Sequence, residues 1–205
     1  MSISDKKGLL EKIKTQEGNY NLDLGCGNRE KKSNLIGIDK IDYENVDIVG
    51  DVFEILKSIP SNRITSITSN HFVEHLEDLE IFLDLCSTAL IPGGTLSICV
   101  PHFSNPYFYS DPTHKTFFGL YTFCYFSKCS LLSRQVPTYE HNISFKIEKI
   151  SMVFKSPKPF YGRYAFKRLL GLLFNSSYYM MELWEENLSG IFPSYEITYS
   201  MIKEE

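Results

Sequence analysis

The hydrophobic and polar positions divide the chain into two stretches of different rhythm. From residue 19 to 101, short apolar runs recur at 19–24, 35–38, 46–49, 64–69 and 95–101. Each is too short for a helix and rich in Ile, Leu or Val, so each predicts a buried strand. Segments of helical period fit between them, most clearly at 77–90, where Leu79, Phe82, Leu83, Cys86 and Leu90 share one face. Residues 5–15 alternate charge with Leu and Ile at helical spacing and predict a surface helix ahead of the sheet. Such alternation implies a parallel sheet covered on both sides, with ligands outside the carboxyl ends of its strands.

Beyond Pro101 the rhythm changes. Residues 102–129 are crowded with Phe and Tyr, and most of these rings must be core. Residues 143–154 (Ile143, Phe145, Ile147, Ile150, Met152) and 195–202 alternate like strands that can pair as an antiparallel hairpin. Between them, 160–188 is an apolar stretch studded with Arg and Lys, predicting one or two helices, most apolar at Leu169 to Phe174. Packing against the domain is its ordinary explanation; a lid, a dimer face and a membrane-surface contact are the alternatives.

With 205 residues the chain is expected to form one domain, 1–205, with a core that needs no disulfide or metal staple. A net charge of −4 argues against a broad electrostatic footprint on nucleic acid. The N-terminus lacks a signal-peptide core and no apolar run is long enough to cross a bilayer, which gives the expectation of a cytoplasmic protein. Five cysteines, odd in number and without a Cys-x-x-Cys pair, are expected as reduced thiols rather than a structural zinc site.

The candidate chemistry lies at the strand ends. The first strand runs Asn21-Leu22-Asp23-Leu24 into Gly25-Cys26-Gly27, a turn in which main chain without Cβ admits a bulky ligand. Asp39 ends the second strand, where a carboxylate can accept both hydroxyls of a ribose. A dinucleotide fingerprint would want a third Gly, but Glu30 stands there and would repel a pyrophosphate. A nucleoside without phosphate suits the loop better.

Together with Gly50-Asp51-Val52, the segment Asn70-His71-Phe72-Val73-Glu74-His75-Leu76 and the turn Leu90-Ile91-Pro92-Gly93-Gly94, this order of motifs resembles the class I, Rossmann-like methyltransferases of the small type 11 kind. The resemblance is firm over 18–101 and loose over 102–205. It implies an α/β fold: a three-layer sandwich around a mostly parallel seven-stranded sheet ending in an antiparallel hairpin, with insertions after the fifth and sixth strands. It also implies S-adenosylmethionine as cofactor, with Asp23, Gly25, Cys26 and Gly27 around its methionine part and Asp39 on the ribose. Asp51 and Val52 would read the adenine, and Lys40, Asn70 and His71 would be further cofactor-binding residues.

Methyl transfer is an in-line displacement from a sulfonium, so the enzyme aligns the acceptor and, for a poor nucleophile, removes its proton. The residues for this fall after the fourth and fifth strands: His71, Glu74 and His75, then His102, and Asp111-Pro112-Thr113-His114. The latter segment resembles one found after the fifth strand in a subgroup of bacterial methyltransferases. Two roles are open. His114 or His102 is a general base oriented by Asp111, with His71 lining the acceptor pocket; or some of His71, Glu74, His75, His102 and His114 bind a divalent metal. A similar Glu-His segment in the ubiquinone-pathway O-methyltransferases supports the metal, and the histidines favour zinc or iron over magnesium. Tyr107 and Tyr109 are the expected acceptor-pocket aromatics. The letters His71-x-x-Glu74-His75 also match an inverted zinc-peptidase motif, a reading rejected because they follow a cofactor-binding strand.

The expected function is transfer of a methyl group to oxygen or nitrogen of a small molecule or activated glycan precursor, in a monomer or homodimer without nucleic acid. The alternatives are a non-catalytic cofactor- or nucleoside-binding protein of the same fold and, less well matched, a nicotinamide-dependent reductase.

Overall fold

A computed structural model describes residues 3–30, 34–137 and 143–205. Eight strands form one sheet: β1 (Ser4–Asp5), β2 (Tyr20–Leu24), β3 (Ile36–Asp39), β4 (Ile48–Val49), β5 (Ile64–Asn70), β6 (Leu90–Pro101), β7 (Phe145–Val153) and β8 (Glu196–Lys203). Their spatial order is β1-β4-β3-β2-β5-β6-β8-β7. Strands β4, β3, β2, β5 and β6 are parallel to one another, and β8 runs antiparallel between β6 and β7. The expected hairpin is therefore present, with 145–153 and 196–203 paired.

The sheet has one strand more than the seven expected. Ser4 and Asp5 pair antiparallel with Val49 and Ile48, and Asp5 falls in the stretch 5–15 assigned from sequence to a helix. That helix, α1, covers only Leu9–Thr15. The reason is local: the Asp5 carboxylate accepts the amides of Leu9 (2.9 Å) and Leu10 (2.7 Å), so Asp5 serves the helix from outside it.

Two further helices connect parallel strands. α2 (Val52–Ser58) is capped by Asp51, and α3 (Leu79–Ala89) by Asp78, whose carboxylate accepts the Ile81 amide at 2.9 Å. Both crossovers run in the same direction across the sheet, and right-handed connection puts them on the same face, where Phe53 and Phe82 meet edge to face at 6.3 Å. The links from β2 to β3 and from β3 to β4 carry no helix among the described residues. The Pro92-Gly93-Gly94 turn is absorbed into β6 as an irregularity: β5 advances from Ile64 to Ser66 while β6 advances from Leu90 to Thr95.

Two long connections leave the second half of the sheet. Residues 102–144 follow β6, and α4 (Tyr161–Phe174) and α5 (Tyr178–Asn187) lie between β7 and β8. Their core contacts centre on Trp184, fully buried and ringed by Phe154 (5.0 Å), Phe174 (6.3 Å) and His102 (5.0 Å). Strand order reverses between β2 and β5, which places the crevice for a ligand at their carboxyl ends.

Candidate active site

At that crevice the loop after β2 is shaped by backbone. Gly25 and Gly27 have φ of 65° and 57°. The Gly25 and Cys26 amides donate to the Ile38 carbonyl at 2.9 and 3.3 Å, tying the turn to β3. Phe72 lies so close to Gly25 that a Cβ there would sit 2.4 Å from its ring, whereas the corresponding space at Gly27 is open. Asp39 binds the loop from the other side: Oδ2 accepts the Gly27 amide at 2.8 Å and Oδ1 the Ile41 amide at 2.9 Å. Each carboxylate oxygen accepts more than one bond, so Asp39 retains capacity for a ribose hydroxyl.

The other cofactor-side residues divide by orientation. Asp51 accepts both its α2 amides, Phe53 and Glu54, on Oδ1, which leaves Oδ2 available at an exposed position. Val52 is buried as the first residue of α2. Asp23 is buried within β2, with Arg29 Nη2 3.8 Å from its Oδ1. Lys40 is exposed at the crevice rim, and Asn70 ends β5 in register with Cys99. The Cys26 thiol is fully buried with Val46, Val49 and Tyr43, and its amide serves Ile38. The residue shapes the loop and presents no side chain to a ligand.

Beside the loop, a line of alternating charges crosses the ends of four elements. His71 continues the ladder from β5, its amide on the Cys99 carbonyl at 2.9 Å, and then turns with φ of 55°. That turn aims its ring between two carboxylates: Nε2 is 3.0 Å from Glu196 Oε1 on β8, and Nδ1 is 3.4 Å from Glu74 Oε1. The hydrogen bond to Glu196, then that to Glu74, outweighs partial burial and raises the His71 pKa to about 9. His71 is thus an imidazolium at neutral pH. Lys155 Nζ reaches the same Glu196 oxygen at 2.6 Å. Burial alone would push the Glu196 carboxyl up, but His71 and Lys155 hold it below its ordinary range.

Glu74 lies in a 3-10 turn at Val73–His75 and is 1% exposed. Its carbonyl accepts the Lys115 and Thr116 amides at 2.8 and 3.2 Å, docking the Asp111–His114 loop onto the turn. On that loop Asp111 accepts the Thr113 hydroxyl (2.6 Å) and amide (2.9 Å), which keep its carboxyl low. Because the Thr113 proton goes to Asp111, Thr113 Oγ1 accepts from His75 Nδ1 at 2.9 Å. His114 is oriented likewise: Nδ1 donates to the Phe108 carbonyl at 2.9 Å, and Nε2 faces Asp111 (3.7 Å) and Glu74 (4.0 Å). Rings of Phe108 and His75 enclose it at 4.7 and 4.9 Å. One ligand atom from each of Glu74, His75 and His114 lies within 4.8 Å of the others, and so do those of His71, Cys99 and Glu196. Glu74 Oε2 is buried without a hydrogen-bond partner among the described residues.

His102 stands apart from both groups. It is fully buried between Phe103 and Trp184; Nδ1 accepts the Ser104 amide at 3.1 Å, so Nε2 donates to Glu185 on α5 at 2.9 Å. Its expected service as base or ligand does not fit this setting, because Nε2 ties α5 to the sheet through Glu185 and Nδ1 is taken up by its own loop at Ser104. Tyr109 is also turned away: it is exposed and its hydroxyl donates to the Phe103 carbonyl at 2.9 Å. Tyr107 lines a cleft of about 310 Å³ with Asn105, Lys155, Arg163, Lys167 and Tyr195. Lys155 joins this cleft to the charge line, since its ammonium also sits 4.3 Å over the Tyr195 ring. Sequence reasoning missed Cys99, Lys155, Glu185 and Glu196. Only the alternation of 195–202, which put Glu196 on a strand, hinted at any of them.

No family model and no curated protein sequence matches the chain. Solved structures do. A SAM-dependent methyltransferase from Archaeoglobus fulgidus is 21% identical, with a TM-score of 0.60 over 95% of this chain and 90% of the other. A protein from Bacillus halodurans described as a methyltransferase is 14% identical, with a TM-score of 0.55 over 97% and 98%. Phosphoethanolamine N-methyltransferase 2 from Haemonchus contortus, bound to S-adenosyl-L-methionine, gives 14% and 0.53 over 96% of this chain and 52% of that one. The chain has the fold of these methyltransferases.

Proposed function

We propose that this chain is an S-adenosylmethionine-dependent methyltransferase whose acceptor is a small molecule or activated glycan precursor bearing an anionic group. The observation that carries the reading is the pairing of an open Gly25–Gly27 turn with Asp39, and of Asp51 with α2, at the sheet's switch point, beside His71, Glu74 and His114. The donor set fits the cofactor: open main chain at Gly27, a carboxylate with spare capacity at Asp39, and an available oxygen on Asp51. When bound, the cofactor supplies an electrophilic methyl on a sulfonium.

The chain's own residues then divide the work. Asp39 and the glycine turn hold and orient the nucleoside. His114 Nε2, its tautomer fixed by Phe108, takes the acceptor proton, and Asp111 stabilises the imidazolium that forms. His71 already carries a proton at neutral pH, so it binds and orients rather than acting as base. In the adjoining cleft Arg163 and Lys167 have no carboxylate partner among the described residues. Burial, then the Arg163 charge, lowers the Lys167 pKa, a strain that an anionic group on the acceptor would relieve. Cations with Tyr107 and Tyr195 suit the phosphate and ring of an activated sugar.

One observation favours a second role for the same group. The unpartnered, buried Glu74 Oε2 beside His75 and His114 is a donor set for a divalent cation, zinc or iron rather than magnesium. The residues that would hold it are Glu74, His75 and His114, and it would polarise an acceptor oxygen.

The test is calorimetric titration with S-adenosylhomocysteine, on protein as isolated with its metal content measured and again after chelation. Binding in both samples supports the cofactor reading, and its absence in both overturns it in favour of a different nucleotide or no catalysis. For His114→Ala the expected result is unchanged cofactor affinity with turnover of an acceptor mixture reduced at least about a hundredfold. Full turnover would remove His114 from the chemistry.

A further inference from the structure

Helix α4 turns an apolar stripe to solvent. A surface helix normally turns its apolar stripe to the core and its charges to water. Here Tyr161, Ala165, Leu169 and Leu172, at i, i+4, i+8 and i+11, form the outward stripe, with Tyr161 66%, Leu169 65% and Leu172 71% exposed. Leu173 beside them is 51% exposed. The opposite stripe holds Arg163, Lys167, Leu170 and Phe174: Phe174 is buried against Phe154 and Trp184, and the other three line the cleft. Water alone gives no reason to expose four such side chains on 14 residues.

Charge identifies the occupant. From Lys149 to Met181 the chain has six cations (Lys149, Lys155, Lys158, Arg163, Lys167, Arg168) and no Asp or Glu, in a protein whose net charge is −4. Arg168 borders the apolar stripe, and Phe160, Tyr161 and Tyr164 crowd its N-terminal end. An apolar face with Arg168 at its edge, aromatic rings at one end and no Asp or Glu on the helix fits a helix lying in the headgroup region of an anionic membrane. A second copy of the chain fits less well, because a two-fold contact through this face would set the same cations against one another. No described helix is long and apolar enough to cross a membrane, so the contact is one of lying on the surface.

We propose that α4 docks the protein on an anionic lipid surface through Tyr161, Leu169, Leu172 and Leu173. The docking does not depend on the methyl-transfer reading.

The test is co-sedimentation of the full chain with vesicles of phosphatidylcholine alone and of phosphatidylcholine mixed with phosphatidylglycerol. Binding to the mixed vesicles is expected to be at least about tenfold tighter and to weaken with salt. In the double variant Leu169→Glu/Leu172→Glu, both positions being exposed, binding should fall at least about tenfold while the thermal midpoint holds. Failure to bind mixed vesicles overturns the proposal, as does equal binding by the variant or equal binding to both vesicles. A concentration-dependent dimer abolished by the variant, without vesicle binding, assigns the face to a second copy instead. Titration with S-adenosylhomocysteine on the same samples separates these outcomes from failure of the cofactor reading.

Discussion

The Gly25–Gly27 loop and the charge line from Lys155 to His114 lie at the same edge of one sheet, yet they are held by different kinds of bond. The loop is fixed by main chain: amides of Gly25, Cys26 and Gly27 go to the Ile38 carbonyl and the Asp39 carboxylate, all within a span of 15 residues. The charge line is fixed by side chains from distant elements, with His71 and Glu196 separated by 125 residues. A loop held chiefly by its backbone is intolerant of added atoms. An alternating run of carboxylates and imidazoles tolerates some change of shape but answers to every proton. The contrast suits a division between holding an invariant cofactor and adjusting to an acceptor.

The strongest way to break the loop is to add one carbon. Gly25→Ala places a Cβ 2.4 Å from Phe72 at a φ of 65°. The expected cost is about 2–5 kcal/mol, from left-handed strain and displacement of the ring. Urea titration should show it, with loss of S-adenosylhomocysteine binding; an unshifted midpoint would mean Phe72 moves freely and does not define the crevice.

Removing His102 should cost somewhat less, about 3 kcal/mol, because it strips Glu185 of a buried partner and opens a cavity beside Trp184. The comparison is sharpened by what should not change: His102→Ala that still folds is expected to bind S-adenosylhomocysteine within about twofold of the parent. A selective loss of turnover with stability intact would return His102 to the site. Asp39→Ala comes next, with cofactor affinity weakened by about 1–3 kcal/mol as bonds to buried polar groups are lost. Calorimetry at unchanged affinity would remove Asp39 from ribose binding.

These effects also mark what was legible in the sequence. The strands, the hairpin, α3 and the glycine turn follow from local pattern, since Gly25, Asp39 and Asp51 act within a few residues of where they stand. The extra strand was hidden because Asp5 caps α1 from outside it, so a polar residue that looked helical belongs to the sheet edge. His102 was misjudged because nothing near it in sequence foretells Glu185, 83 residues on. Glu196 and Lys155 were invisible for the same reason: pairing across the hairpin decides which charges meet His71. The apolar run at 169–174 was plain, but not that Leu169, Leu172 and Leu173 face outward while Arg163, Lys167 and Leu170 line the cleft.

The smallest effect tests the electrostatic half of the comparison. The folded pKa of His71, about 9, lies above its ordinary value of 6.5, so its protonation favours the folded state. That contribution is fully present below pH 6.5 and is lost as pH rises through 9. The side chain is 42% exposed, so screening limits the contribution to about 1 kcal/mol or less. Glu196→Gln removes the larger of the two bonds that raise the pKa, while Glu74 retains the other. Imidazole resonances followed by NMR should therefore show His71 titrating nearer neutrality in the variant. Denaturant midpoints measured across pH 6.5 to 9 should fall less steeply than in the parent. The loop should not notice, because none of its bonds to Ile38 or Asp39 involves Glu196. A variant with the parent's titration would mean that Glu74 alone sets the charge of His71, and the line would then end at β5 rather than cross to β8.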